Sequence, residues 1–336
     1  IISFMVPNSH EFIYFNMVTG IFASLTSDDL YRRAKLFTSV GIIYLLYIFS
    51  YLAFVLISDG NFTNFNLEIL LMFTLNCFAT LFVQPLTYIF EKLFGLVSDA
   101  SLLELTDTNN KILRELENKA PGTFHHSLQV ANLAETAANA VGANTLLTRV
   151  GALYHDIGKI KNPVFYSENQ SNYNPHDNLE PVESKDIIIE HVKNGVLLAK
   201  KFNLPERIID FIKSHHGTTT VLYFFHKQSL INKNVKIETF KYPGPKPHSK
   251  ETSIVMIADG VEAASKSLKS PNLENIKQLV DKVTSRLMEE NQFIDATITL
   301  KDIQIVKKVI TDKLVSSFQL RVEYPENNEN KSNMLK

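Results

Sequence analysis

Two long runs without a charged residue dominate the hydrophobic pattern of the first 95 residues. They cover 36–57 and 69–90, and each contains 22 residues. A helix needs ~20 apolar residues to cross a bilayer, so both runs are predicted to be transmembrane helices. An earlier uncharged stretch, 12–27, is shorter and contains Asn16, and it predicts a third span. Residues 1–95 are therefore interpreted as a membrane region of two to three helices, with buried helices of a soluble protein as the alternative.

Charges beside these runs predict their orientation. Arg32, Arg33 and Lys35 precede the first long run, whereas 59–68 contains no Lys or Arg. Because positively charged loops stay on the cytoplasmic side, we expect the 59–68 loop outside the cell and everything after Glu91 in the cytoplasm. The sequence thus predicts a multi-pass protein of the plasma membrane, with the lipid bilayer as a partner.

After residue 95 the pattern changes to charged helices with apolar stripes. Residues 96–120 carry Leu and Ile at loosely helical spacing, which predicts a linker helix. A plain linker is favoured over the coiled-coil seam of a homodimer, because the pattern is short. Residues 121–320 form a second predicted domain of amphipathic helices, and the polar tail 321–336 is expected to be disordered. The predicted fold class is all-α: the C-terminal transmembrane helices of a larger membrane region, followed by a cytosolic helical domain.

Composition narrows the possible classes. The chain has 336 residues, a net charge of −1 and a pI near 6.9, which gives no sign of a nucleic-acid polymer as partner. Cys77 is the single cysteine, so an intramolecular disulfide is excluded. The chain begins at Ile1 without a methionine or a signal peptide, and it is interpreted as a fragment.

Candidate metal ligands stand on the predicted helices of 121–320. His155 and Asp156 are adjacent at the end of an apolar helical pattern that Gly158 interrupts. Other predicted apolar helices carry four more imidazoles and a carboxylate: His126, His191, His215, His216 and Asp259. This thiolate-free set suits manganese, iron or zinc, and we expect two divalent ions, Mn²⁺ or Fe. The alternative is scattered polar histidines and an aspartate that pairs with a lysine.

These residues resemble the ligand motif of the HD-domain phosphohydrolases. The match is closer to the seven-transmembrane HD family, whose characterised members are cyclic-di-AMP phosphodiesterases. It also includes the segments 120–127, 168–170, 174–177 and 242–247, and it extends over about 90–269. In that family, more spans and an external sensing region precede the part that this chain resembles.

The resemblance implies a site for two metal ions. It assigns one ion to His126, His155 and Asp259, and the other to His191, His215 and His216. Asp156 is the natural bridge, because a carboxylate has two oxygens. Such a pair of ions can lower the pKa of a bridging water and clamp a phosphate. Lys159, about one turn after Asp156, would stabilise charge on the scissile phosphate; alternatively it pairs with Asp156 and only tunes the site.

Two irregular segments are predicted to reach the substrate. Residues 160–184 lack periodicity, and a loop this long is usually functional or disordered. The resemblance makes this loop a substrate wall, with contacts from Glu168, Asn169, Gln170, Asn174 and His176. In the second segment, 227–250, Lys246 stands in a proline-rich turn and would reach a phosphate. For each residue the alternative is a turn cap or a solvated side chain.

Together these features predict a membrane-anchored, metal-dependent phosphodiesterase. The resemblance makes a cyclic dinucleotide the substrate, foremost cyclic-di-AMP, which a hydroxide activated by two metals would convert to the linear dinucleotide pApA. One alternative is a membrane receptor whose HD domain binds a nucleotide without cleaving it. Another is an HD phosphohydrolase for a different nucleotide such as cyclic-di-GMP, because the ligand set does not encode the base.

Overall fold

A computed structural model describes residues 9–26, 33–61, 66–171, 173–268 and 271–318. Within them the all-α prediction is confirmed, since the extended backbone pairs only in an isolated bridge between Thr220 and Lys241. The predicted disordered tail 321–336 lies outside the described residues. The helices are α1 (Ser9–Thr26), α2 (Arg33–Asp59), α3 (Leu67–Thr80), α4 (Val83–Phe94), α5 (Asp99–Thr106), α6 (Lys111–Lys119), α7 (Pro121–Ala140), α8 (Thr145–Tyr154), α9 (Pro181–Lys201), α10 (Glu206–Ser214), α11 (Leu222–Ile231), α12 (Lys250–Ser265), α13 (Leu273–Glu289) and α14 (Leu300–Ser317).

The chain divides into two compact units, Ile1–Ser101 and Leu102–Lys336. In the first unit, α2 contains an apolar stretch, Leu36–Ser58, that is long enough to cross a membrane. The second predicted span is not one straight helix, because α3 and the rest of α4 from Pro85 meet at 43°. Proline has no N–H to donate and is tolerated only in the first turn of a helix, so Pro85 explains the break before α4. Helices α3 and α4 form a second membrane span only if the two together cross the bilayer as one bent span.

The predicted third span is shorter than the sequence pattern indicated. Its apolar part is Ile13–Leu25 within α1, which falls short of the ~20 residues that a membrane crossing needs. Its polar residue is accommodated, because the Tyr47 hydroxyl donates to the Asn16 side-chain oxygen at 3.1 Å. Around them the unit has an aromatic core, in which the Tyr47 ring stacks on Phe73 at 4.6 Å.

The predicted linker helix over 96–120 is two helices, α5 and α6. A polar turn separates them, and Asn110 caps α6 by accepting a hydrogen bond from the Ile112 backbone N–H at 3.2 Å. Ile112, Leu113 and Leu116 are fully buried, since α6 packs against α7. Helix α6 is therefore part of the core of the second unit. The predicted domain boundaries stay predictions.

The core of the second unit is built around α7, which packs against α8, α12 and α14. Fully buried Val130, Ala134, Val150 and Ile257 belong to this core, and burial of each Val or Ile side chain contributes about 1.5–3 kcal/mol. Small alanines on α7 let the neighbouring helices come close. The packing fixes α7, α8 and α12 relative to one another; α7 and α12 carry predicted ligands, and two more directly follow α8.

Two short connections bring the remaining helices to this core. The chain after α8 forms a 3₁₀ segment, Ile157–Lys161, that packs against α9. A Cβ atom on Gly158 would lie 1.8 Å from the His191 carbonyl oxygen, so only glycine allows this approach. Helix α10 starts after Pro205 and is followed by Gly217 at φ 52°, as the sequence predicted.

Candidate metal centre

The residues predicted as metal ligands converge in the second unit. Each stands on an element that the core fixes: His126 on α7, His155 and Asp156 after α8, His191 on α9, His215 and His216 after α10, and Asp259 on α12. All are buried except His216, whose side chain is 25% exposed. Residues up to 133 positions apart in sequence thus form one polar cluster inside an apolar domain.

Asp156 lies at the centre of the cluster, with a different pair of histidines near each carboxylate oxygen. Its Oδ1 atom is 3.3 Å from Nε2 of His191 and 3.6 Å from Nε2 of His215. Its Oδ2 atom is 3.3 Å from Nε2 of His155 and 3.7 Å from Nε2 of His126. Two groups of potential metal ligands share this residue: Asp156, His191, His215 and His216 in one, and His126, His155 and Asp156 in the other.

Asp259 closes the cluster on the side of α12. Its Oδ1 atom is 3.0 Å from Nε2 of His126 and 3.7 Å from Nε2 of His155. Its Oδ2 atom is 3.9 Å from Nδ1 of His216. The Asp259 carboxylate therefore lies near histidines of both groups.

Hydrogen bonds orient three of the imidazole rings in the same way. Because a backbone carbonyl only accepts, the Nδ1 atom of each ring carries the hydrogen and Nε2 faces Asp156. The acceptors are Ala152 for His155 at 2.6 Å, Ile188 for His191 at 2.6 Å, and Ile212 for His215 at 2.9 Å. This is the arrangement that ligating histidines usually show.

Two polar atoms at the centre are buried without a hydrogen-bond partner. They are Nε2 of His155 and Oδ1 of Asp156. A buried polar atom without a hydrogen bond is costly. Nitrogen and oxygen atoms that converge without hydrogen bonds between them fit a divalent cation at their centre. The cluster is therefore capable of holding metal ions.

The histidines of the cluster differ in the direction in which their imidazole pKa values are shifted. Burial disfavours a charge on His155, but Asp156 and Asp259 outweigh it and raise the pKa of that imidazole to about 10. Burial lowers the pKa of His191 to about 3 and that of His216 well below its usual value. At neutral pH and without metal, His155 is therefore protonated, whereas His191 and His216 are neutral.

Metal loading is expected to release at least one proton per chain at pH 8. A metal that takes the Nε2 lone pair of His155 must displace its proton, because ligation requires the neutral imidazole. Calorimetric titration of Mn²⁺ in two buffers of different ionisation enthalpy measures this number. The same heat in both buffers, after correction for dilution, would contradict the expectation.

Glu262 is a site residue that the sequence interpretation missed. It is buried on α12, its Oε2 atom accepts a hydrogen bond from Nδ1 of His126, and its Oε1 atom is 3.1 Å from Nζ of Lys266. His126 is thus oriented by a carboxylate, where the three other rings use carbonyls. The available signal was its spacing, since Glu262 follows Asp259 by three positions in an apolar run and shares its face.

We expect Glu262→Gln to weaken metal binding about 10–100-fold, the usual cost of losing a residue that orients a ligating histidine. The amide still fills the space but no longer supports the basicity of His126. Metal content after dialysis against a graded series of chelator concentrations measures the effect. Glu289→Gln, on the exposed surface of α13, is the matched control, and equal metal retention in both variants would refute the role of Glu262.

Lys159 adjoins both Asp156 and the following loop. Its Nζ atom is 2.7 Å from Oδ2 of Asp156 and 2.8 Å from Oε1 of Glu168, and it lies 5.0 Å from the centre of the Tyr166 ring. Burial opposes its charge, but the Asp156 and Glu168 carboxylates hold its pKa well above the usual value. Lys159 is therefore a largely buried cation at the edge of the cluster, with 12% of its side chain exposed.

The predicted substrate residues of the loop after Lys159 take different positions. Glu168 lines the cavity at the cluster, whereas the Asn169 side chain accepts from the Thr123 backbone N–H at 3.2 Å. Gln170 donates to Asn174 at 3.2 Å, Asn174 accepts from the His176 backbone N–H at 3.2 Å, and His176 bonds to the Phe165 carbonyl. Asn169 thus ties the loop to α7, whereas Gln170, Asn174 and His176 form hydrogen bonds within the loop itself.

Lys246, the remaining predicted substrate contact, is partly buried and is not among the residues that line the cavity. The nearby Tyr242 does line it, and its ring stacks on His216 at 4.3 Å with 27° between the planes. The cavity measures about 1050 Å³ and also reaches His126, Lys159 and Asp259. The ligand cluster is thus accessible from a space large enough for a small organic molecule.

Comparison with known proteins finds family models that match the N-terminal and the C-terminal part of the chain. A family model described as HD domain matches residues 123–264, and one described as 7TM receptor with intracellular HD hydrolase matches residues 1–98. The cyclic-di-AMP phosphodiesterase PgpH of Bacillus subtilis (strain 168) is 38% identical over 317 residues. PgpH of Listeria monocytogenes is 36% identical over 321 residues. In both cases the alignment includes 94% of this chain and 44% of the relative, so the chain spans less than half the length of these proteins.

A solved structure is similar to part of this chain. The crystal structure of the L. monocytogenes phosphodiesterase PgpH HD domain in complex with cyclic-di-AMP matches with a TM-score of 0.61 and 42% sequence identity. The match covers 63% of this chain and 99% of that chain. The chain therefore belongs to the HD-domain family, in the branch described as 7TM receptors with an intracellular HD hydrolase.

Proposed function

We propose that this chain is the C-terminal part of a membrane phosphodiesterase that hydrolyses cyclic-di-AMP to the linear dinucleotide pApA. The observation that carries the proposal is Asp156, whose two oxygens each face a different pair of imidazoles. Two relatives named cyclic-di-AMP phosphodiesterase, and a related HD domain solved with cyclic-di-AMP, support the choice of substrate.

In this proposal the cluster holds two divalent ions, Mn²⁺ or Fe. His126, His155 and Asp259 would hold one ion, His191, His215 and His216 would hold the other, and Asp156 would serve as a ligand of both. When bound, the ions would supply an activated water and neutralise the phosphoryl oxygens. Nitrogen ligands completed by carboxylates, without a thiolate, support manganese or iron.

The chain's own residues orient the substrate and screen its charge. Lys159 would turn its ammonium group toward the scissile phosphate, where it stabilises the negative charge that develops in the transition state. Glu168 also pairs with Lys159, at 2.8 Å, and helps to hold it in place. Tyr242, packed on His216, forms a wall that confines the ligand. Direct substrate contacts of Asn169, Gln170, Asn174, His176 and Lys246 remain predictions.

Lys159→Ala is expected to reduce kcat about 100-fold while metal is retained. The lost charge stabilises the transition state, and removal of one such donor typically costs 10²–10³ in kcat. Lys161→Ala is the matched control, because Lys161 lies on the same 3₁₀ segment but its side chain is 54% exposed. If Lys159→Ala lost metal to the same degree as activity, its role would be to hold Asp156 rather than to act on the phosphate.

The proposal places the enzyme in the plasma membrane as a multi-pass protein with the second unit in the cytoplasm. Support comes from the apolar helix Leu36–Ser58 and from the charges at Arg32, Arg33 and Lys35. We retain the domain division 1–95, 96–120, 121–320 and 321–336 as part of the proposal. The expected partners are the bilayer and a cyclic dinucleotide, without a nucleic-acid polymer. A homodimer is the secondary expectation.

The decisive experiment uses the full chain in detergent micelles loaded with Mn²⁺ and, separately, with Fe²⁺. Each sample is incubated with cyclic-di-AMP or cyclic-di-GMP, and the products are separated by chromatography. We expect conversion of cyclic-di-AMP to pApA and little turnover of cyclic-di-GMP. Two bound metals per chain with tight binding but no cleavage of either dinucleotide would favour the receptor alternative. Preferred cleavage of cyclic-di-GMP would replace the substrate.

A further inference from the structure

The cavity continues beyond the histidine cluster into a space between α12 and α13. Its α12 wall has small residues, including Gly260 and Ala264, which leave room beside that helix. Its α13 wall includes Gln278, Lys282 and Arg286, spaced four positions apart. Such spacing puts the three side chains on one face over about 12 Å of helix. The cavity thus has a long polar wall that carries none of the predicted metal ligands.

The charges that line the cavity are unevenly distributed. Its two carboxylates, Glu168 and Asp259, are both at the histidine cluster and are paired with Lys159 and His126 there. We call the part of the cavity between α12 and α13 the distal groove. Three cations line it: Lys266, Lys282 and Arg286. A concave surface with one sign of charge attracts ligands of the opposite sign.

The cations of the distal groove retain donors for a ligand. Arg286 uses its Nε atom for Glu290 at 2.9 Å, and the Lys266 ammonium meets Glu262 at 3.1 Å. Lys282 forms no ion pair within the described part of the chain, and its side chain is exposed. The guanidinium of Arg286 has further N–H groups suited to bidentate phosphate binding.

We propose that the distal groove binds the second phosphodiester of a cyclic dinucleotide while the first lies at the histidine cluster. The inference rests on the proposed function. A cyclic dinucleotide carries two negative phosphodiesters in one ring, and the cluster with Lys159 addresses one of them. Lys282 and Arg286 supply the matching positive charge for the other, so the groove selects a two-phosphate ligand over a single phosphodiester.

The test compares Lys282→Ala and Arg286→Ala with Lys277→Ala, a control on α13 that does not line the cavity. One readout is the Kd of cyclic-di-AMP for the metal-depleted full chain in detergent, measured by calorimetry at fixed salt. The other is the ratio of kcat/KM for cyclic-di-AMP to that for bis(p-nitrophenyl) phosphate, which has one phosphodiester. We expect each groove substitution to raise Kd and lower the ratio about tenfold, as for loss of a charged hydrogen bond.

Lys282→Arg is expected to stay within about twofold of the unaltered chain, because a lysine binds phosphate as a point charge and arginine keeps that charge. The groove proposal would be overturned if Kd and the kcat/KM ratio were unchanged in both alanine variants, or if Lys277→Ala changed them equally. Groove-dependent binding without hydrolysis would leave the groove standing and remove the proposed activity. Hydrolysis of cyclic-di-AMP with a Kd that does not depend on the groove residues would support the proposed activity and overturn the groove. A chain that binds no cyclic-di-AMP would overturn both.

Discussion

Asp156→Ala is expected to abolish turnover of cyclic-di-AMP and to remove most bound metal. Asp156 is the residue common to both ligand groups, and its two oxygens lie 3.3–3.7 Å from four imidazole nitrogens. Metal activation supplies several kcal/mol of transition-state stabilisation, and about 1.4 kcal/mol corresponds to tenfold in rate. We therefore expect a loss of about a thousandfold or more in kcat, measured together with metal content by elemental analysis.

The control is Asp186→Ala, which removes the same side chain from the surface of α9, where the carboxylate is 67% exposed. It should retain both metal and activity, since the ion pair with Lys185 has a solvent-exposed carboxylate and a pair of this kind contributes only about 0–1 kcal/mol. Asp156→Asn separates charge from shape, because the amide fits the same space but is a poor metal ligand. If Asp156→Asn kept two metals and normal turnover, the central role of the carboxylate would be disproved.

The convergence of the ligands could be predicted because each one is marked by a local pattern. His126 heads an apolar stripe on α7, and His215 precedes Gly217 at the end of α10. Apolar periodicity shows which face of a helix is buried, so a polar residue on that face indicates a site. The family resemblance then supplied the pairing of ligands, which helical periodicity alone does not determine.

Some features of the site could not be predicted from the sequence, because they depend on contacts between elements that are distant along the chain. Glu262 meets His126 across 136 positions, and its place on the same helix face as Asp259 does not by itself reveal that contact. The distal groove requires α13 to lie beside α12, which is a tertiary arrangement. In the first unit, hydropathy indicated one span over 69–90 because it does not register the effect of Pro85 on backbone hydrogen bonding.

Gly158→Ala is expected to destabilise the second unit by about 3 kcal/mol or more. The added methyl group would lie 1.8 Å from the His191 carbonyl oxygen and 2.5 Å from the Gly195 backbone nitrogen. Backbone atoms cannot rotate away as a side chain can, so the 3₁₀ segment and α9 must separate. Overpacking usually costs about 1–3 kcal/mol, and a backbone clash lies at or above the upper end.

Gly260→Ala provides the contrast for this substitution. Its added methyl would meet only the Val283 side chain, at 3.1 Å, and alanine improves helix propensity inside α12 by up to about 1 kcal/mol. We expect Gly260→Ala to leave the melting temperature of the full chain in detergent nearly unchanged, and Gly158→Ala to lower it by several degrees. Because Gly158 follows Asp156 by two positions and contacts the helix turn of His191, metal content should fall with stability. A Gly158→Ala variant with unaltered melting and full metal content would mean that the ligand cluster does not depend on this backbone approach.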